Sequence, residues 1–499
     1  MPFTDLNFTD FIKNLEQTLK RQFHTDQNIN ELSATRGLPD EVLEGIMETV
    51  PLSVAIPQEY SGRGSEVKDI LTMLSITSYE SLPLALTFGI NIGLFPGPVA
   101  KYGHSSIKQG IFDRFTRHQA MGGMMITEPN YGSDALNMQT TNKVTEQGYA
   151  VQGIKHWQGL TGMAEYWLIA SRSESSKGQV SRDLDFFICD TKQQGQQIEV
   201  EEYFDALGLY MIPYGRNKVN VQIPEIYKLL PETTGIKMLL DILHRSRMQF
   251  PGMAMGFIRR MLDEATEHCK NRIVGGGNLL SMDHIAYQIS RLQSAYTICS
   301  AMCCRSSAIS SPSQNLATEG LEANSIKTVV TDLMQESSQI LVQVSGASGY
   351  RISNVGGRGI IDSRPFQIFE GANEMLYTQV ADMVTKLMKK QKELNLFDFL
   401  KGFKLTAESC QHFKDDLCLT ISNNLTQRKM YDLGKVLSRV ISAGYVLDIG
   451  TKGFRKDMID NCITMVQQEV GALMASFRFD NKVHVVEGYA ENSSWLAFA

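Results

Sequence analysis

The eight cysteines of this chain form no CxxC pair and recur at no fixed spacing, so neither a zinc site nor a disulfide framework is expected. Cys299 and Cys303, four residues apart in a helical pattern, read as small core residues. The nine histidines build no HExxH-type constellation, and no metal is expected. Basic residues gather only in short clusters such as Lys386, Lys389, Lys390 and Lys392. With a net charge of −6, the chain lacks the electrostatic footprint of a nucleic-acid binder. No run of about 18 apolar residues stands out, so no membrane-spanning segment is expected. The opening MPFTDLNFTDF has neither the basic-then-apolar order of a secretory signal nor the Arg-rich, acid-poor character of a transit peptide. Cytoplasm is the expected location. Repeats, low-complexity tracts and long linkers are also missing.

What is there is an ordinary globular composition, 43% hydrophobic and 20% charged. At 499 residues it suggests three or four domains or one multi-layer unit. Residues 1–120 read as helical, with breaks at Pro51, Pro57 and the glycines of PQEYSGRG. From 121 to 232 come short β-type runs, MGGMMIT, YAVQGIKHW, YWLIASR, LDFFICD, QIEVEEYF and KVNVQIP, separated by turn residues. They predict an antiparallel sheet or barrel. Helical spacing returns over 236–273, then from a cap at Ser281 through Ile285, Ile289, Leu292 and Tyr296, and again over 321–344 and 376–387. These make a bundle over 233–390. Residues 391–499 add a helical appendix, with candidates at 429–447 and 456–477 and a polar tail. The class is α+β, mostly α.

Three distant segments carry chemistry-bearing residues. MMITEPNYGSDALNMQTT (124–141) leaves an apolar strand for a turn rich in short polar groups. Thr127, Ser133 and nearby backbone N–H groups could bond a polar ligand edge there, or could simply cap the turn. GIKHWQGLTGMAEYWLIASR (153–172) sets Trp157 beside Gly159 and Gly162, as a wall for an aromatic cofactor or as a core residue. In RPFQIFEGANEML (364–376), Glu370 stands between Phe369 and Gly371, and Glu374 follows four residues later. By itself this last stretch reads equally as the start of an amphipathic helix with Glu374 on its solvated side.

Taken together, in this order and spacing, the segments resemble the acyl-CoA dehydrogenase family. TEPNYGSD is similar to its TEPxxGSD signature. KHWQG with AEYWLIASR resembles its KxWI(T/S)NG block, and SGASGY…DSRPFQIFEG its GGxGY…RDxRxxxIxEG block. The likeness runs over about 50–390. Within the family, QIFEGANEML and the 391–499 appendix look closest to the very-long-chain members.

The resemblance implies an N-terminal α domain (1–120), a central β-barrel domain (121–232), a C-terminal four-helix bundle (233–390) and an additional helical domain (391–499). It implies FAD as cofactor, an acyl-CoA substrate, an electron-transferring flavoprotein as acceptor, and a homodimer, with a tetramer as the alternative. Peripheral membrane association is the alternative to a freely cytoplasmic protein. Glu370 falls on the family's catalytic carboxylate, with Phe366 and Phe369 as its dry surroundings, and its backbone N–H at the thioester oxygen beside Gly371. Thr127, Ser133, Trp157, Gly159, Arg272 and Glu374 fall on cofactor-side positions, and Ser133 and Arg247 on substrate-side ones. A minority of family members carry the base at the position of Ser246, where serine cannot act as one.

The chain departs from the family pattern at Gln158, Gly159, Leu160 and Thr161 after the tryptophan, at Gly275 and Gly276 after Arg272, at Ala372, and at Ile361 before Asp362. Two other readings follow. The first is an acyl-CoA oxidase, or a dehydrogenase of carrier-protein thioesters. The second is a catalytically silent binding or assembly protein on the same scaffold.

Overall fold

The structure, a computed structural model, describes residues 6–422 and 424–499. The first five residues of the opening stretch read above for targeting signals lie outside them.

The N-terminal quarter is helical: α1 (Phe8–Arg21), α2 (Ile29–Leu32), α3 (Asp40–Met47), α4 (Val67–Glu80), α5 (Leu82–Leu94), α6 (Pro96–Tyr102) and α7 (Ser105–Arg117). The central element is α5. Ser81 caps it by accepting from the Leu84 N–H, and Pro83 lies in its first turn, where a missing N–H costs nothing. Its residues are buried almost all round, as expected of a helix apolar on every face. Asn91, the polar exception, is fully used: its Nδ2 donates to the Thr87 carbonyl and its Oδ1 accepts from the Gly122 N–H, fastening α5 to the first strand. The stretch Leu82–Tyr102 has a mean hydropathy of 1.4 and, by length and composition alone, could cross a membrane. That corrects the expectation that no such stretch exists. Its window is 83% buried inside the fold, which is where its apolar side chains find their partners.

Strands β1 (Gly122–Met125), β2 (Thr141–Thr145), β3 (Gly148–Gly159), β4 (Tyr166–Ser173), β5 (Asp185–Asp190), β6 (Glu199–Tyr203) and β7 (Tyr214–Ile223) form one curled sheet in the order β1-β4-β2-β3-β7-β6, with β5 on the other side of β4. Not all of it is antiparallel as expected: β4 pairs in parallel with both β1 and β2. Strand β2 carries no apolar run of its own and was not among the predicted strands. In β7, Asn217, Val219, Val221 and Ile223 face inward alternately, the mark of a sheet covered on one side.

The remainder is helical: α8 (Gly235–Arg247), α9 (Phe250–Asn271), α10 (Asp283–Ile309), α11 (Gly320–Ser345), α12 (Val355–Ser363), α13 (Asn373–Gln391), α14 (Leu396–Gly402), α15 (Lys414–Leu417), α16 (Gln427–Thr451) and α17 (Lys456–Arg478). The 236–273 stretch is two helices. Pro251 lies in the first turn of α9, which places the break at Met248 and Gln249. Ser281 does not cap α10: it ends a short 3₁₀ turn and its hydroxyl donates to the Asn278 carbonyl, so α10 starts without a side-chain cap. Between α9 and α10, a two-stranded hairpin is formed by β8 (Ile273–Val274) and β9 (Gly277–Asn278). Helix α11 packs against α9, α10 and α13, while α16 and α17 lie along α13 and α10. Leu433, Leu437 and Val466 of the last helices share one continuous core with Ile326 and Val380.

Candidate active site

The segment that leads into α13 is built around three phenylalanine rings. Phe366 is fully buried, its ring 5.0 Å from Phe369 and 5.9 Å from Phe250, with Phe250 and Phe369 6.0 Å apart. The chain then turns through left-handed backbone at Glu370 (φ 53°) and Gly371 (φ 99°) before α13 starts at Asn373. Glu370 therefore precedes the helix. For a residue with a β-carbon, that conformation costs about 1–2 kcal/mol. Two buried cations hold it. Arg247 donates from Nε (3.1 Å) and Nη2 (2.5 Å) to the Glu370 carbonyl and from Nη1 to Asn324 Oδ1. Lys327 donates to the Gly371 carbonyl (2.9 Å) and to Asn373 Oδ1 (2.8 Å). With its carbonyl so engaged, Glu370 keeps a backbone N–H that donates to no group among the described residues.

Glu370 is half-buried as a residue, its carboxylate at the covered end. Ser246 Oγ donates to Oε1 at 2.7 Å, and Oε2 is buried with no partner. Burial raises the carboxyl pKa above its ordinary value, against the pull of the Ser246 hydrogen bond and of the Arg247 and Lys327 charges. Lys327 is pushed the opposite way, down to about 7, first by burial and then by Arg247.

A second wall comes from the sheet. At the end of β3 the register with β7 shifts between His156 and Gln158, and Trp157 takes a left-handed conformation (φ 63°). That bulge turns the indole outward. It packs on Phe204 (4.5 Å) and Tyr214 (6.4 Å) yet stays 52% exposed, unlike the buried Trp167. The Thr127 carbonyl accepts from the His156 N–H (2.8 Å) and from Gln158 Nε2 (3.2 Å), joining the TEPNYGSD turn to this strand end. The same turn is pinned by a buried ion pair. Lys155 Nζ meets Glu128 Oε1 at 2.9 Å, and Glu128 also accepts from the Gln139 and Thr140 N–H groups. Gln158 Oε1 and His156 Nδ1 are buried without partners.

Helix α5 joins the two walls. A β-carbon placed on Gly159 would lie 3.0 Å from Ile90 Cδ1. One placed on Gly93, a turn further along, would lie 3.1 Å from Ser246 Oγ and 3.3–3.4 Å from the Gln249 amide atoms. The structure thus brings Thr127, Trp157 and Gly159 to α5 at Ile90, and Glu370, Gly371 and Arg247 to the same face one turn further along, at Gly93. Ser133 and Glu374 are exposed, in the turn and in the first turn of α13, and Arg272 is exposed at the C-terminal end of α9. Arg247 is buried, its guanidinium engaged by the protein.

Sequence reasoning missed Ser246 as the partner of Glu370, Lys327 as the second clamp, and the Glu128–Lys155 pair. Only the last left a signal: opposite charges at fixed places in two motifs, Glu128 just after β1 and Lys155 on β3. Among the described residues, no group of His, Cys, Asp and Glu could hold a metal ion.

Residues 123–220 match the acyl-CoA dehydrogenase middle-domain model, and residues 233–385 match the model of the C-terminal domain. The mouse mitochondrial very long-chain specific acyl-CoA dehydrogenase is 22% identical over 402 residues, covering 77% of this chain and 58% of that protein. A probable acyl-CoA dehydrogenase of Mycobacterium tuberculosis, FadE10, is 26% identical over 368 residues, covering 69% and 54%. The chain therefore spans little more than half the length of these curated relatives. The crystal structure of an acyl-CoA dehydrogenase from Bacillus anthracis, complexed with FAD, superposes with a TM-score of 0.72 at 16% identity, covering 95% of this chain and 88% of that one. That cover takes in much of 391–499 as well as the three-part fold. By both family models, this chain belongs to the acyl-CoA dehydrogenase family.

Proposed function

We propose that this protein is an FAD-dependent oxidoreductase that removes two hydrogens from Cα and Cβ of an acyl-CoA thioester, with Glu370 taking the α-proton. The observation that carries this reading is the carboxylate of Glu370, held at one oxygen by Ser246 and buried without a partner at the other. A dry base of raised pKa suits a weak carbon acid, because proton transfer is most effective when the base is poised near working pH.

The residues present fit a flavin. The half-exposed Trp157 face gives a stacking surface, and the buried, partnerless Gln158 Oε1 and His156 Nδ1 are polar atoms that a heterocycle's edge can satisfy. Thr127, Trp157 and Gly159 would hold it on the sheet side. Ser133 would reach it from the TEPNYGSD turn, and Glu374 and Arg272 would contact outlying parts, Arg272 from a partner subunit of a homodimer. FAD, when bound, supplies the two-electron acceptor for the hydride that leaves Cβ.

The chain's own groups do the rest. Oε2 of Glu370 receives the α-proton as the Cα–H bond breaks. The free N–H of Glu370 bonds the thioester oxygen, where charge develops. The left-handed turn, clamped by Arg247 and Lys327, keeps that N–H and the carboxylate on the same side of the substrate. Ser133 and Gly371 border the thioester. An electron-transferring flavoprotein is the proposed acceptor and cytoplasm the proposed location.

The test is a titration of the purified, FAD-loaded protein with acyl-CoAs of graded length, following flavin absorbance. Bleaching with at least one acyl-CoA is expected. A protein that binds no flavin, or that no thioester bleaches, sinks the reading. Rapid oxygen consumption with peroxide would replace the flavoprotein acceptor by oxygen.

A further inference from the structure

Gln249 sits at the break between α8 and α9, 6% exposed, and its side-chain Oε1 is buried with no hydrogen-bond partner. Partnerless buried amide oxygens are uncommon enough in folded proteins to require an explanation. Backbone capping does not supply one, because the main chain is already satisfied: the Gln249 N–H donates to the Ser246 carbonyl, and its own carbonyl accepts from the Gly252 N–H. The side chain is not screened from α5 either, since Gly93 has no side chain at the point where both amide atoms approach. That same point is 3.1 Å from Ser246 Oγ, the hydroxyl that holds the base. The amide acceptor and donor of Gln249 therefore stand beside the hydroxyl that bonds the reacting carboxylate, a few ångströms from that carboxylate.

We propose that Gln249 determines specificity, and that the preferred acyl chain carries a hydroxyl on a carbon just beyond Cβ. This rests on the dehydrogenase reading above. A hydroxyl both donates and accepts, and so satisfies the amide oxygen and nitrogen together, where a methylene satisfies neither. Cβ itself is excluded as the bearing carbon, because it must lose a hydride to give an enoyl product. Sites built to hydrogen-bond a substrate hydroxyl reject the analogue that lacks it far more strongly than apolar pockets reject an extra methylene.

The test compares 4-hydroxyoctanoyl-CoA with octanoyl-CoA on the full-length, FAD-loaded protein and on Q249M. Flavin bleaching and kcat/KM are measured, together with calorimetric binding of both thioesters in an E370Q background where turnover is blocked. The wild-type protein is expected to favour the hydroxylated chain by at least about tenfold, the worth of one well-placed hydrogen bond. Q249M is expected to lose that preference and to gain on octanoyl-CoA, with the binding ratio moving in parallel. Equal or better handling of octanoyl-CoA by the wild-type protein overturns the proposal by itself, even if Q249M does not fold. So does a ratio that Q249M leaves unchanged. If octanoyl-CoA bleaches the flavin and the hydroxylated chain does not, only the specificity assignment fails. If neither bleaches it while another acyl-CoA of the graded series does, the specificity assignment again fails alone; if no acyl-CoA bleaches it, the dehydrogenase reading falls and takes this proposal with it.

Discussion

At the scale of residues, the proposed base, Glu370, is defined by what its two oxygens meet. Ser246 bonds one and so offsets part of the burial that raises the Glu370 pKa. Ser246→Ala removes a bond that favours the charged form, so the carboxyl pKa rises further. The acid limb of the kcat/KM profile is then expected to move to higher pH, and Ser246→Thr to move it back. An unshifted profile would mean that the bond has no part in poising the base. Glu370→Gln is expected to lower turnover about 10²–10⁴-fold, the usual contribution of a positioned general base. Its effect on stability has the opposite sign. A carboxyl whose folded pKa lies above its unfolded one contributes stability at low pH and loses it as pH rises through the folded pKa. The neutral amide avoids that loss, so E370Q is expected to melt no lower than wild type, and higher above that pH, in thermal scans across the pH range. Glu370 was legible in the sequence because it stands in a motif of fixed spacing. Its partner was not, because Ser246 lies 124 residues away and serine in that place reads only as something unable to be a base.

At the scale of elements, the site depends on interruptions more than on regular structure. The α8–α9 break sets Ser246, Arg247 and Gln249 in a row, and the β3 bulge turns Trp157 outward. Periodicity reveals helices and strands but smooths over a two-residue break, so the helical spacing over 236–273 gave no sign of it, although Pro251 marks where the second helix begins. The same blindness hid the parallel pairing of β1 with β4, since strand partners far apart in the chain leave no local trace. The TEPNYGSD turn owes its shape to Glu128, which bonds a buried ammonium and two backbone N–H groups at once. Glu128→Gln leaves Lys155 buried without its counter-charge, and Lys155 is already pushed down to about 8 by burial. Breaking a buried pair in this way costs about 3 kcal/mol or more. A clear drop in melting temperature, together with weakened flavin retention, is expected by calorimetry and absorbance. An unchanged melting curve would show that the pair does not hold the turn.

At the scale of the whole molecule, the proposed division into 1–120, 121–232, 233–390 and 391–499 rests on changes of texture along the sequence. How firmly the last part is joined was not visible there. Ser438 and Tyr445 of α16 reach Ser325 and Glu322 of α11. Two to ten residues further along α11, Lys327, Thr331 and Asp332 grip Asn373 and Tyr377, and Lys327 holds the Gly371 carbonyl. Truncation after Gln391 strips α16 and α17 from the shared core. The shortened chain is expected to lose cooperative unfolding and flavin binding, measured by thermal melts and absorbance of the purified protein. If it stays folded and yellow, the C-terminal helices are an independent module.

That buttressing also bears on how the protein comes into being. A chain leaves the ribosome from its N-terminus, so every motif that marks the site, Glu370 included, emerges before the helices that brace it. Until the last hundred residues have been made and docked, the left-handed turn at Glu370 has its cations but not the backing of the helix that carries one of them. A premature stop codon ahead of α16 or α17 would spare every signature residue and still remove a helix that braces them.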